Sequence, residues 1–421
     1  MSEGDTPPQD SVKKPVATSK PRASAAVSWD AFLSTYLPAL ILALGAGVAL
    51  PALPALAQSF DVSFGVASGV VTAYLLGNLF GTIPSGWLID RFGRRSVLIA
   101  GPLLTAASAL LVAVAPSFTE LLVLRFLNGF AAQMWLMARL AAISHGAAAD
   151  QRGRQVSWMF GMDTTGKLSG PILGGFIAHG WGTIAPFIVY GVLALLALIP
   201  TAMFAKDSPR RDRSAQAKAS AVTAAISLRQ IVMPRLVFFA VALFAGLTRG
   251  PLQADLLHLY AAFAYNLGPI EIGYLATGAA ILSLPIGFTA GWMMDRFGRK
   301  RTMVPGFTGM AIAMIALAVS AFVPLSLAWY VVLFFLAVAM QSLTGGSIQT
   351  VGADVAPPEA RGRFLGLWRF TGQGGAAVGP IVFALLADQL NYGSSFLFTA
   401  TAAAVVAYLL VRHVPETRTD P

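Results

Sequence analysis

The sequence predicts an all-α fold: a polytopic membrane protein of twelve transmembrane helices in two pseudo-symmetric halves of six. Three observations carry that prediction. Charge is scarce, with 29 Lys/Arg and 19 Asp/Glu among 421 residues, or 11%, while 56% of the chain is apolar; a soluble domain carries roughly 25% charge. The apolar residues gather into windows of membrane length. Finally, one charged turn, Gly86-Trp-Leu-Ile-Asp90-Arg91-Phe-Gly93-Arg94-Arg95, returns half a chain later as Gly291-Trp-Met-Met-Asp295-Arg296-Phe-Gly298-Arg299-Lys300-Arg301. Each copy lies between two apolar runs, as expected of a duplicated membrane protein.

Windows of about 20 residues or more can each cross roughly 30 Å of hydrocarbon as a helix rising ~1.5 Å per residue. They fall at 32–57, 66–89, 96–115, 119–146, 155–179 and 183–205, which are spans 1 to 6. Spans 7 to 12 follow at 235–264, 270–294, 302–323, 326–353, 362–388 and 394–412. The expected domains are a disordered tail 1–28, an N-terminal bundle 29–205, a basic linker 206–231, a C-terminal bundle 232–413 and a short tail 414–421. The first tail is rich in Pro, Ser, Ala and Lys and has no apolar core, unlike a signal peptide. The halves repeat again where Arg152-Gly-Arg154 and Gly170-Pro171 match Arg361-Gly-Arg363 and Gly379-Pro380 at one common offset. Six helices repeated in the same orientation imply halves related by an axis along the membrane normal, with a site between them.

Charge placement gives the orientation. Twenty-four of the 29 Lys/Arg fall in the tails and the loops of one side, and the six loops of the other side hold none. The positive-inside rule then puts both termini and the linker in the cytoplasm, across a plasma (inner) membrane. The net charge of +10 is therefore topological, with the lipid bilayer as partner and no nucleic acid. Cysteine is absent, and His145, His179, His258 and His413 are too scattered for a metal cluster. No nucleophile–base constellation occurs, so neither an enzyme nor a cofactor or metal is expected. The stretch Gly161 to Leu168 comes close to a phosphate-binding loop, but Leu168 replaces the required Ser/Thr and no strand precedes it.

With these residues in view, the chain resembles the major facilitator superfamily from span 1 to span 12. The duplicated turn resembles that family's loop 2–3 signature. Leu121-x-x-x-Arg125-x-x-Asn128-Gly129 resembles its span 4 signature. Gly166-x-x-x-Gly170-Pro171-x-x-Gly174-Gly175 resembles the span 5 signature of drug:proton antiporters, and Asp150-x-Arg152-Gly-Arg154 and Glu359-x-Arg361-Gly-Arg363 resemble its acidic turns. The resemblance implies secondary transport by alternating access. It also implies a conformational latch at Gly86, Asp90, Arg91, Gly93, Arg94 and Arg95, at Gly291, Asp295, Arg296, Gly298, Arg299 and Lys300, and at Arg152, Arg154, Glu359, Arg361 and Arg363. Lys167 departs from the span 5 pattern, and span 1 lacks an acid.

Five bases lie inside the spans: Arg125, Arg139, Lys167, Arg249 and Arg369, with the acids Asp163 and Asp255. A charge in hydrocarbon costs at least ~2.5–3.5 kcal/mol, so each should face a cavity or a partner. Asp163 and Lys167, at i and i+4, have the spacing of an intrahelical ion pair. Arg139, ~21 Å along span 4 from Arg125, reads as a snorkelling or helix-pairing residue. Arg249 precedes Gly250-Pro251, where proline should break span 7. Asp255 and His258 share a face as proton-relay candidates, and Trp368 and Arg369 hold the matching place in span 11. The expected substrate and proton pathway thus comprises Arg125, Asp163, Lys167, Arg249, Asp255, His258, Trp368 and Arg369. The leading expectation is a monomeric, proton-coupled exporter of a small organic molecule. The excess of bases favours an anionic or zwitterionic cargo, and the alternative is a proton symporter importing an organic carboxylate. A non-transporting membrane sensor of the same fold is the third reading.

Overall fold

The computed structural model describes residues 32–146, 152–205, 232–253, 255–319, 326–357 and 360–414, besides Trp29, Gln230, Phe322, Val323 and Glu416. The tail 1–28, most of the linker 206–231 and Glu359 lie outside the described residues. Among those described, regular structure is helical throughout. Eleven helices are long and apolar enough to cross a membrane. Span 5, Arg152–Trp181, has 30 residues and would reach ~45 Å, but it is more polar than the rest because it carries Asp163, Lys167 and His179. Packing shields it, with span 1 on one side and span 8 on the other.

The remaining spans follow the predicted windows. They are Phe64–Phe92, Arg94–Leu111, Phe118–Gly146 and Ala185–Phe204 in the first half, and Pro269–Phe297, Arg299–Val319, Arg361–Gln389 and Tyr392–Arg412 in the second. Three spans are broken. Span 1 divides into Leu37–Ala49 and Ala52–Gln58, where Pro51 cannot supply a backbone donor. Span 7 divides into Leu236–Gln253 and Leu256–Tyr265. This corrects the expectation of a break at Pro251, which sits inside the helix; the chain turns instead at Asp255, in the left-handed region at φ 59°, a conformation Asp tolerates better than most residues. Span 10 divides into Leu327–Thr344 and Ser347–Val355 around Gly345-Gly346.

Helix pairing repeats between the halves. Spans 1 and 5 pack as 7 and 11 do, 2 and 4 as 8 and 10, and 3 and 6 as 9 and 12; the seams between the halves are 2 with 11 and 5 with 8. Close approach explains the glycines. A side chain on Gly170 would meet the Cα of Gly47 at 2.6 Å, and one on Gly375 would meet the Cα of Gly246 at 3.1 Å, so the 1–5 and 7–11 crossings both depend on small residues.

Both seams close at the end away from the basic turns: in the 5–8 seam Gly175 lies against the Pro269 carbonyl, and hydrogen bonds join the halves nearby. Gln58 Nε2 donates to the Ala262 carbonyl at 3.1 Å. The Asp388 carboxylate of span 11 accepts from Ser63 Oγ at 2.6 Å and from the Gly65 amide at 2.8 Å, capping the N-terminus of span 2 from the other half. Phe64 packs edge-on to Phe263 and Tyr392. Toward the basic turns the seam spans leave open space: side chains built at Gly86, Gly161, Gly287, Gly291 and Gly366 would meet nothing within 4 Å.

Because the chain has no cysteine, spin labels at Asp61→Cys and Asn391→Cys can report the fastened end. Asp388→Ala removes two hydrogen bonds to an exposed carboxylate, together about 1 kcal/mol. The population open at that end is expected to rise about fivefold, read as a longer distance component. An unchanged distribution would assign the seal to the aromatic packing alone.

Candidate functional site

A cavity of about 450 Å³ lies between the halves, within the range of roughly 300–1,000 Å³ usual for small-molecule sites. Its walls come from spans 1, 2, 4, 5 and 6 of one half and 7, 8 and 10 of the other. Small and apolar residues such as Ala46, Leu50, Val71, Leu252 and Val338 make most of the surface, and Arg125, Lys167, Asp255 and His258 supply charge.

Arg125 is held by its neighbours. Its guanidinium lies 4.9 Å from the centroid of the Tyr74 ring, and its Nε donates to the Val70 carbonyl at 3.4 Å. Both partners are on span 2, brought close because Gly129 lets span 4 rest against the Tyr74 backbone. On the facing wall, Asp255 Oδ1 lies 3.4 Å from Nδ1 of buried His258. Neither ring nitrogen of His258 makes a hydrogen bond among the described residues.

Asp163 is placed elsewhere. It forms a two-pronged ion pair with Arg139, Nη1 to Oδ1 at 3.0 Å and Nη2 to Oδ2 at 3.1 Å, where Lys167 was the expected partner. The planar guanidinium matches a carboxylate fork better than an ammonium does, and the crossing of spans 4 and 5 puts Arg139 within reach. The same guanidinium stacks 3.9 Å above Trp135. Lys167 is left facing the cavity, with no ion pair among the described residues.

A second, small cavity of about 30 Å³ sits between spans 7, 9, 10 and 11. It contains Arg249, whose Nη2 donates to Gln373 Oε1 at 3.2 Å, together with Arg369 and Trp368. Trp368 is mostly core, stacked on Phe364. Gln341 and Gly345 line both cavities, so the two are adjacent. Tyr74, Gln341, Gln373 and Asp388 escaped the sequence reading. The only signal for them was the bare presence of amides, a phenol and one acid in otherwise apolar windows.

The duplicated turn is built alike in both halves. Gly93 at φ 85° and Gly298 at φ 99° end spans 2 and 8 in a region essentially reserved for glycine. Arg91 lies over Trp87, and Arg296 over Trp292, at 5.7 and 5.3 Å. Asp90 and Asp295 are exposed. Arg95 donates to the Ala202 carbonyl, Arg299 pairs with Asp354 at 3.2 Å, and Lys300 Nζ donates to the Val411 carbonyl. Arg94 is half-buried, and Arg361 and Arg363 open span 11. Arg152 and Arg154 begin span 5. Gly86 and Gly291 meet no neighbouring helix here. In span 5, Gly166, Gly170 and Gly174 pack on span 1, while Gly175 and Pro171 touch span 8.

The family model for the Major Facilitator Superfamily matches residues 36–254 and 256–421. The chain belongs to the Major Facilitator Superfamily. As a superfamily member it is 23% identical to the class B tetracycline resistance protein of Escherichia coli, over 82% of this chain and 86% of that one. It is 27% identical to the galactose–proton symporter of E. coli K12, over 96% and 95%. Among solved structures, a D-xylose–proton symporter superposes with a TM-score of 0.77 at 19% identity, over 93% of this chain and 99% of that one. The inward open xylose transporter from E. coli gives 0.73 at 19%, over 90% and 96%. These superpositions show the fold.

Replacing Arg139 by Met strands the Asp163 carboxylate between spans. A loss of about 3 kcal/mol is expected, seen as a fall of several degrees in thermal unfolding of purified protein. Adding Asp163→Leu should recover most of it, because an apolar pair carries no desolvation cost; a double variant as weak as the single would refute this.

Proposed function

We propose that the protein is a proton-coupled secondary transporter that exports a small organic molecule across the plasma membrane by alternating access. The observation that carries the reading is the charged cavity between two halves that are bonded together at one end and leave their seam glycines unpacked toward the other. A site reachable from a single side is what an alternating-access carrier needs. The basic turns belong at the cytoplasmic face, so this conformation opens to the cytoplasm, with both termini on that side. The turns at Gly86–Arg95 and Gly291–Arg301 would close across the opening when the opposite end parts. Relatives that include a tetracycline resistance protein and the close packing of the span 5 glycines on span 1 support export.

Proton coupling falls to Asp255 and His258. The carboxylate is 31% exposed in the cavity wall, its neighbour is a histidine with unused nitrogens, and both sit at the break in span 7. A proton taken by this pair changes the charge facing the cargo and the charge at the hinge together. The cycle follows: cargo enters from the cytoplasm, the halves rock, cargo leaves outside, and a proton returns inward.

One observation favours the opposite direction, import of a small organic anion with protons. Once Arg139 and Asp163 are counted as a closed pair, the two cavities hold Arg125, Lys167, Arg249 and Arg369 against the single acid Asp255. Thermal-shift screening against metabolites and drugs identifies a cargo, and proteoliposomes then decide direction. Uptake driven by an acidic lumen is antiport and supports export, whereas uptake driven by an acidic exterior sinks it. Asp255→Asn is expected to cut gradient-driven uptake roughly tenfold or more, about 1.4 kcal/mol, while gradient-free exchange of cargo persists. Asp90→Asn should slow both modes with normal membrane insertion; wild-type turnover would remove the gating role.

A further inference from the structure

Two guanidiniums share the small cavity beside span 10 without an acid to balance them. Among the described residues, Arg249 is bonded only to a neutral amide oxygen, that of Gln373. Arg369 makes no hydrogen bond or ion pair among the described residues, and the two arginines are close enough to repel one another. Both belong to membrane-spanning helices, 7 and 11. Unbalanced charge at such depth is costly, and it is kept where a partner arrives from outside the fold. Arg139 shows the contrast, since the chain supplies its own carboxylate there.

The space fixes the size of that partner. About 30 Å³ is two to three times the ~10–15 Å³ that one water needs. That is room for a small planar anion such as a carboxylate. Gln341 and Gly345 form the wall this cavity shares with the larger one of about 450 Å³, where the surface is mainly aliphatic with Phe334 at one side.

We infer that Arg249 and Arg369 form a carboxylate subsite, and that the cargo is an amphipathic monocarboxylate whose apolar body fills the central cavity. The inference rests on the reading of that cavity as the cargo pathway. It assigns the anion to spans 7 and 11 and not to Lys167, which faces the cavity from span 5. Two guanidiniums can bind the two carboxylate oxygens separately, a geometry that a neutral amide of equal size cannot satisfy. Gln373 then serves as a positioning residue that holds Arg249 toward the subsite.

The test uses the full chain in nanodiscs with three probe acids, 4-phenylbutyrate, decanoate and indole-3-acetate, each set against its primary amide. Affinity is read by calorimetry and by the shift in thermal unfolding. At least one acid is expected to bind at least tenfold more tightly than its amide. Arg249→Gln and Arg369→Gln are each expected to weaken that acid roughly 10- to 100-fold, the loss of a hydrogen-bonded charge partner, and to leave the amide unaffected. Arg249→Lys and Arg369→Lys should recover part of the affinity, which a misfolded chain would not. Amides that bind as well as acids, wild-type affinity in both Gln variants, or no binding by any acid would each overturn the subsite. So would saturable chloride binding that the acids do not compete with. The transport reading fails separately: an acid that binds through both arginines but is moved by no proton gradient keeps the subsite and refutes the carrier.

Discussion

Hydrocarbon offers no hydrogen-bond partner, and most of this structure follows from that constraint. Backbone polar groups must then be satisfied inside each helix, so irregular backbone survives only against protein or a water-filled space. The three broken spans obey this rule. Leu50 beside the break in span 1, Asp255 at the break in span 7 and Gly345 at the break in span 10 all line the central cavity. Away from the cavity, prolines such as Pro84, Pro102 and Pro305 sit inside continuous helices, where neighbouring helices absorb the local loss of a donor. The places where this chain departs from ideal helix therefore map its interior.

The same constraint sorts the charges into three groups. Loop bases gather at one end, where water solvates them, and there the Glu416 carboxylate accepts from the Arg299 and Lys300 amides at the start of span 9. Arg139 and Asp163 neutralise each other between spans 4 and 5. The rest line cavities. A desolvated pair with good geometry costs much to break and adds little net stability, so its main effect is to fix how spans 4 and 5 meet. The cavity charges, lacking such partners, retain the free energy that a bound solute can release.

Span positions and the repeat were legible in the sequence because each leaves a local trace: an apolar window and a duplicated turn. Which charge pairs with which was not legible. Asp163 and Lys167 have ideal spacing on one helix, yet the carboxylate turned to Arg139 because helix crossing, a non-local property, offered a better-shaped donor. The break at Asp255 was missed for a related reason. Proline announces a lost hydrogen bond, but the chain relieves the strain where a residue tolerates positive φ and the cavity gives room. Gln341 and Asp388 carry no pattern at all; their importance arises only when another half is brought against them.

The fastening of the two seams at a single end has a thermodynamic consequence. A solute arriving from the fastened face must wait for, or select, the fraction of molecules that are parted there, and its apparent affinity falls by that fraction. A solute arriving from the parted face meets no such tax. Under the proposed transport cycle, residues far from the cavity, Asp388 and Ser63 among them, would set a sidedness of affinity without touching the solute. Substitutions at the seal can make the carrier look tighter from one face and weaker from the other while the binding surface itself stays unchanged.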